Sequence, residues 1–323
     1  MVGATVTRRD ILMLAGVATA AAALPASLRA EGLDGASKAE VDSLPFALKT
    51  PVHIEQVSLR VMDLPMMARY YNLVLGLEEI EASRDYAILG AGGVPLLSLR
   101  QVDGIVREHP ASAGLYHVAY LMPTRADLAR WLVHAAMLQV PIDGFADHDV
   151  SEAIYLTDPE GNGIEVYSDR SPENWIWTDG FVTMGTKAID LDGLVALTDR
   201  TRDTYSMPST LRIGHIHLRV GDLAAAEAFY GNIVGLQSTR KGRKDAAFYS
   251  SGGYHHHLGM NVWNSRGAGK RAAATTGLEW FLMRLDAESM KQARTRAPAG
   301  QMAEVDGGFS LTDPWGTEIR MIG

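Results

Sequence analysis

Apolar and polar residues alternate along Ile54-Glu55-Gln56-Val57-Ser58-Leu59-Arg60-Val61, the period of a strand with one buried face. Asp63-Leu64 follow, then Tyr70-Tyr71-Asn72-Leu73-Val74-Leu75-Gly76-Leu77, a helix closed by glycine. The pattern returns at Ile213-Gly214-His215-Ile216-His217-Leu218-Arg219-Val220, with Asp222-Leu223 and Phe229-Tyr230-Gly231-Asn232-Ile233-Val234-Gly235-Leu236 behind it. Two further copies are plainer at their ends. One starts at Leu115-Tyr116-His117-Val118-Ala119-Tyr120-Leu121 and has a helix near residues 125–138. It closes on Asp158-Pro159-Glu160-Gly161 before a strand reaching Tyr167. The other starts at Gly277-Leu278-Glu279-Trp280-Phe281-Leu282 and closes on Asp313-Pro314-Trp315-Gly316 before a strand reaching Met321. In such a turn proline fixes one torsion and glycine supplies a permissive one. Each copy reads β-α-β-β-β, so an α+β protein built by repetition is predicted. A connector, residues 171–210, separates copies two and three; it holds Trp175, Trp177 and an apolar stretch at 191–197.

The first thirty residues break the pattern. Thr7-Arg8-Arg9-Asp10 precedes an apolar run at 11–24, and Ser27-Leu28-Arg29-Ala30 offers a small-residue cleavage site. This reads as a secretory signal whose arginine pair resembles a twin-arginine signal, with an ordinary Sec signal or an uncleaved anchor as the other readings. The expected layout is a signal at 1–30 and a linker at 31–50, and the expected location is periplasmic or secreted. The net charge of −8 argues against nucleic acid and anionic membranes as partners. The chain has no cysteine, which excludes disulfides, thiolate zinc sites and a cysteine nucleophile. A transition metal would have to be held by His, Asp, Glu or weaker ligands.

Alternation sorts the polar residues by face. Ile216, Leu218 and Val220 point one way; His215, His217 and Arg219 point the other. Ile164 and Val166 likewise oppose Glu165 and Tyr167. A glutamate inside a strand is costly to desolvate without a partner, and a metal ion is a natural one. A solvated sheet face is the other reading of Glu165.

Four such units over residues 51–323 resemble the vicinal-oxygen-chelate superfamily, which includes glyoxalase I, bleomycin-resistance proteins and type I extradiol dioxygenases. The resemblance implies two curved, paired sheets, a first domain at 51–170 (copies one and two) and a second at 211–323 (copies three and four). It also implies metal ligands on the first and last strands of the units. Those slots hold Gln56, His117, Glu165, His215, Glu279 and Glu318. Only copies two and three together supply two histidines and a carboxylate: His117, Glu165 and His215. These copies are therefore expected to share a pocket, with copies one and four forming the other sheet. Such a set suits Fe(II) oxygen chemistry, and Mn(II) fits it as well.

Within the superfamily, His148, Ile154-Tyr155, Asp158-Pro159-Glu160-Gly161 and Glu165 follow the extradiol dioxygenase fingerprint, departing from it at Ala146. The resemblance gives His148 and Tyr155 the role of contacting substrate beside the metal. Gly252-Gly253-Tyr254-His255-His256-His257 resembles catechol-2,3-dioxygenases of the CatE type, as do residues 114–117, 214–218 and 151–156. One of these histidines is implied as acid–base catalyst. Aligning the doublets favours His256, while alternation from Leu258 and Met260 puts His255 and His257 on the polar face; His256 and His257 both stay candidates. The implied function is extradiol cleavage of a small catechol-type diol with Fe(II) and O2. No stable membrane anchor is implied once the signal is removed, and a homo-oligomer is left open. A glyoxalase-like isomerase on Ni, Zn or Mn would want a fourth ligand, usually a carboxylate, in the partner unit's last strand, a slot read here as histidine. A non-catalytic protein binding an aromatic ligand needs no metal at all. Replacing Arg8 and Arg9 together by lysine should abolish delivery to the periplasm; unchanged export in a strain lacking the twin-arginine translocase would show that another route is used.

Overall fold

The computed structural model describes residues 44–198 and 205–323. The signal read at 1–30 lies outside them, as does the linker up to residue 43. Copy one is β1 (Val52–Val61), α1 (Leu64–Leu75), β2 (Glu78–Ala82), β3 (Tyr86–Ala91) and β4 (Val94–Gln101). Copy two is β5 (Gly114–Leu121), α2 (Arg125–Met137), β6 (Gly144–Asp147), β7 (Ser151–Thr157) and β8 (Gly163–Asp169). The connector carries a short hairpin, β9 (Trp177–Thr178) with β10 (Phe181–Val182), and one turn of helix, α3 (Leu191–Val195). Copy three is β11 (Arg212–Arg219), α4 (Leu223–Ala226) running into a π-helical segment (Glu227–Val234), β12 (Gln237–Ser238), β13 (Ala246–Ser250) and β14 (Leu258–Asn261). Copy four is β15 (Gly277–Leu285), α5 (Ala287–Arg296), β16 (Ala303–Val305), β17 (Gly308–Thr312) and β18 (Glu318–Ile322). No helix among the described residues is long and apolar enough to cross a membrane.

Each unit helix starts where a short polar side chain takes a free backbone N–H. Asp63 accepts from Met66, Thr124 from Asp127, Asp222 from Ala225 and Asp286 from Ser289. Gly76 ends α1 at φ 78°, a torsion that favours glycine.

The strands form two eight-stranded sheets, ordered β16-β17-β18-β15-β1-β4-β3-β2 and β12-β13-β14-β11-β5-β8-β7-β6. Copies one and four therefore make one sheet and copies two and three the other. Each sheet is joined through its first strands, β1 antiparallel to β15 and β5 antiparallel to β11. Val57, Leu59, Val118, Ile216, Leu218 and Phe281 put the apolar strand faces into one shared core with the helices.

The two Asp-Pro-x-Gly turns serve as tie-points between copies. Asp158 accepts from the Glu160 and Asn162 amides with one oxygen, and from the Tyr71 hydroxyl of α1 with the other at 2.9 Å. Asp313 does the same with the Trp315 and Thr317 amides and with Tyr230 at 2.9 Å. The helix of an odd-numbered copy is thus bolted to the last turn of the copy that follows it.

The histidine triplet does not continue β14 as alternation suggests. It lies ahead of the strand, beyond Gly252 and Gly253 at φ 62° and 78°, so strand parity does not extend through it. His257 is fully buried; its Nε2 donates to the Ala47 carbonyl at 2.9 Å and its Nδ1 accepts from Ser250 at 2.9 Å. Ala47 belongs to the 3-10 turn Phe46–Lys49, so part of the stretch read as linker is packed onto the sheet by this ring. The acid–base candidacy of His257 is corrected by this position: both its nitrogens are engaged in packing, away from the cavity described below.

Two outcomes follow. Tyr71→Phe or Tyr230→Phe leaves a buried carboxylate oxygen short of a donor and should lower unfolding free energy by about 1–3 kcal/mol in urea titration. Burial lowers His257 from 6.5 to about 3. The unfolded chain gains a proton below about 6.5 while the folded chain does not, so stability held above that value is lost as pH falls toward 3. His257→Gln keeps a donor for Ala47 and cannot titrate. Its Tm should therefore fall less steeply than the wild type between pH 6.5 and 4; an identical slope would contradict the buried neutral ring.

Candidate metal centre

Three adjacent strands, β11, β5 and β8, bring His215, His117 and Glu165 to one face. Ala119 on β5 pairs across to His215 on one side and Glu165 on the other, and His117 lies two residues earlier on the same face. A methyl group at Ala119 leaves room between the ligands that a longer side chain would occupy. The ligand atoms of His117, Glu165 and His215 all lie within 4.8 Å of one another, and it is the one such group of metal-ligating type found among the described residues. His215 Nε2 stands 3.2 Å and His117 Nε2 3.0 Å from the same Glu165 oxygen. All three residues are buried.

The electrostatics favour a neutral His215 beside an anion. Burial lowers His215 below its ordinary value, outweighing the pull of Glu165. Burial alone would raise the Glu165 carboxyl, but His215 and His117 outweigh it and hold the carboxyl well below its usual range. His117 Nε2, though close to Glu165, makes no hydrogen bond. An orphaned buried nitrogen converging with a second imidazole and a carboxylate fits a divalent transition ion better than it fits a closed hydrogen-bond network. The residues present therefore fit a metal.

Two glycines make the packing around the ligands possible. At Gly214 an added Cβ would lie 1.8 Å from the Tyr167 hydroxyl, and at Gly259 it would meet the His217 ring at 2.9 Å. Pseudo-symmetry relates His117 to His215 and Ala119 to His217. Glu165 pairs with Ala119 and Gly259 pairs with His217, so the copy-three slot equivalent to Glu165 holds Gly259. The histidine expected in that slot is corrected: the triplet lies one turn earlier.

The ligands open onto a cavity of about 470 Å³. Its walls are aromatic: the Tyr116 ring lies tilted 5.0 Å from His217 and edge-on 5.2 Å from Trp263, and Phe248 lies 5.1 Å from His256. His148 and Tyr155, both expected at the site, line it. The Gly185 carbonyl can only accept, so the 2.7 Å contact fixes the proton of His148 on Nδ1. His148 Nε2 then accepts from the Tyr155 hydroxyl at 2.7 Å. Burial, with the Glu165 charge beside it, pushes the Tyr155 hydroxyl well above its usual value. His256 also lines the cavity; burial and the neighbouring histidines lower it well below the ordinary value.

The other ligand slots are not brought to this site. Glu279 is paired with Arg100 and accepts from Ser58, Glu318 pairs with Arg320, and Gln56 lies on β1, all in the other sheet. Phe248, Trp263 and the connector residues Met184 and Thr186, which line the cavity, carry no motif. His217 was marked only by its shared face with His215.

Comparison with known proteins identifies the family. The model of the Glyoxalase/Bleomycin resistance protein/Dioxygenase superfamily matches residues 53–166 and 212–321. The chain is 34% identical over 273 residues to a catechol-2,3-dioxygenase of Bacillus subtilis (strain 168), covering 81% of this chain and 94% of that protein. Its fold is similar to a crystal structure of a Bacillus subtilis protein provisionally called a dioxygenase (TM-score 0.56, 16% identity, 84% and 85% of the two chains). It is also similar to glyoxalase I from Zea mays (TM-score 0.52, 14% identity, 85% and 94%). Repeated units, paired sheets and these matches together show that the chain belongs to the glyoxalase/bleomycin resistance protein/dioxygenase superfamily.

Proposed function

We propose that this protein is an extradiol dioxygenase that opens a catechol-type ring with Fe(II) and O2. The observation that carries the reading is the convergence of His117, Glu165 and His215 on an aromatic-walled cavity that also holds His256. Two imidazoles and one carboxylate leave coordination positions free for substrate. Fe(II) or Mn(II) bound there would supply the charge that acidifies a diol hydroxyl and the redox chemistry that dioxygen requires.

The chain's own residues do the rest. Tyr116, Phe248 and Trp263 hold a planar ring and exclude water. His256, neutral through burial, takes a proton from the diol, an effect typically worth ~10²–10⁴-fold. Tyr155 keeps its hydroxyl proton and contacts the substrate oxygen from the opposite wall. A glyoxalase-like isomerase would draw on a fourth carboxylate on β14; that slot holds Gly259. Export of the folded, metal-loaded protein by the twin-arginine route belongs to the same proposal.

Ligand loss and proton-transfer loss should be separable. Glu165→Ala or His117→Ala should lose the metal, measured by elemental analysis. His256→Phe should retain it while kcat for oxygen uptake with catechol drops by ~10²-fold or more. A reduced, iron-loaded wild type that consumes no oxygen with any simple catechol would sink the dioxygenase reading.

A further inference from the structure

Behind His256 lies a chain of hydrogen bonds that ends on an acceptor. His256 Nδ1 is 2.8 Å from His255 Nδ1, and His255 Nε2 is 2.8 Å from Asp169 Oδ1. Asp169 Oδ2 accepts from the Tyr254 hydroxyl at 3.0 Å, and that hydroxyl is 2.6 Å from Tyr167. The neighbouring Arg170 is occupied by Asp147 and Glu152. Asp169 is therefore left to the tyrosine and the histidine. The Trp175 ring, 5.1 Å from His255, and Thr239, donating to its carbonyl at 2.6 Å, fix the histidine in place.

We infer that Asp169 and His255 set the tautomer of His256 so that its bare nitrogen faces the cavity. The steps follow from what each atom can do when His255 is taken as the neutral ring. A carboxylate only accepts, so His255 carries its proton on Nε2. A neutral imidazole has one N–H, so His255 Nδ1 is a lone pair. The nitrogen 2.8 Å from it must then donate, which places the proton of His256 on Nδ1. Nε2 of His256, which has no hydrogen-bond partner among the described residues, is left unprotonated on the side of the ring away from buried His255. The group arrives at the reaction ready to accept a proton. Asp169 and His255 are positioning residues: neither lines the cavity or supplies a metal ligand, and they decide which nitrogen of His256 is basic.

The mechanistic use of this tautomer rests on the dioxygenase reading; the tautomer itself does not. Two-bond ¹H–¹⁵N correlation spectra of histidine-labelled full-length protein, metal-free and with diamagnetic Zn(II), report which nitrogen carries the proton. Wild-type His256, identified by its loss in His256→Phe, should be the Nδ1–H form. Asp169→Ala and His255→Phe should each move it toward Nε2–H. Tyr254→Phe, which spares the path to His256, should not. In iron-loaded protein Asp169→Ala should lower kcat about tenfold or more with KM and metal content nearly unchanged. An Nε2–H wild type, or a tautomer unmoved by either substitution, overturns the inference; the wild-type spectrum decides even where a variant fails to fold. If iron-loaded wild type consumes no oxygen with catechols, the dioxygenase reading falls while the spectra still decide the tautomer.

Discussion

Glu165 is a carboxylate with almost no contact with solvent, placed between His117 and His215, the latter held below its ordinary value by burial. An anion in that position has only the His117 and His215 imidazoles to offset its desolvation, and the cost of a buried carboxylate without a partner runs to several kcal/mol. Much of the surrounding structure serves this one arrangement. β5 must lie between β8 and β11 for the three ligands to meet, and Ala119 must be small where both neighbours pair with it. Glycine is required at 214 and 259, where the Tyr167 and His217 rings come too close for a Cβ. Antiparallel pairing of copies two and three at their first strands is what makes the site.

The other sheet meets the same geometric problem with ion pairs. Copies one and four pair in the same way, and their concave face is also polar. There Glu279 meets Arg100, Glu55 meets Arg284 and Glu318 meets Arg320, so each of these three acids has its counter-charge. What the two halves share is the tie between a helix tyrosine and the aspartate of an Asp-Pro-x-Gly turn, Tyr71 with Asp158 and Tyr230 with Asp313. Fold is carried by that tie and the common core, whereas chemistry is carried by which charges the concave face leaves unbalanced.

This division explains what could be read from the sequence. Repeats, strand faces and the Asp-Pro-x-Gly turns are local patterns, and His117, Glu165 and His215 sit in periodic strands where alternation is reliable. The histidine triplet sits in a loop after two left-handed glycines, where parity carries no information, so alternation separates neither His257 from His256 nor the triplet from the β14 slot that Gly259 fills. Met184 and Thr186 reach the cavity, and the Gly185 carbonyl reaches His148, from a connector with no repeat to align it. The Asp169–His255 contact joins residues 86 apart in sequence, and no periodicity links a strand end to a loop in another copy.

Counting protons around the cavity shows a division of labour. His148 donates to the Gly185 carbonyl, so its other nitrogen must accept, and the Tyr155 proton is committed to it. His256 donates toward His255, so its other nitrogen is also an acceptor, but one with no protein donor to fill it. The two walls therefore differ in kind. One holds a hydroxyl that burial keeps protonated and a histidine that steadies it; the other holds a lone pair waiting for a proton. A ligand entering between them meets, on one side, a hydroxyl oxygen whose proton is already committed to His148 and, on the other, a bare base. This asymmetry comes from two acceptor-only groups, a backbone carbonyl and a carboxylate, each set behind the histidine whose tautomer it fixes.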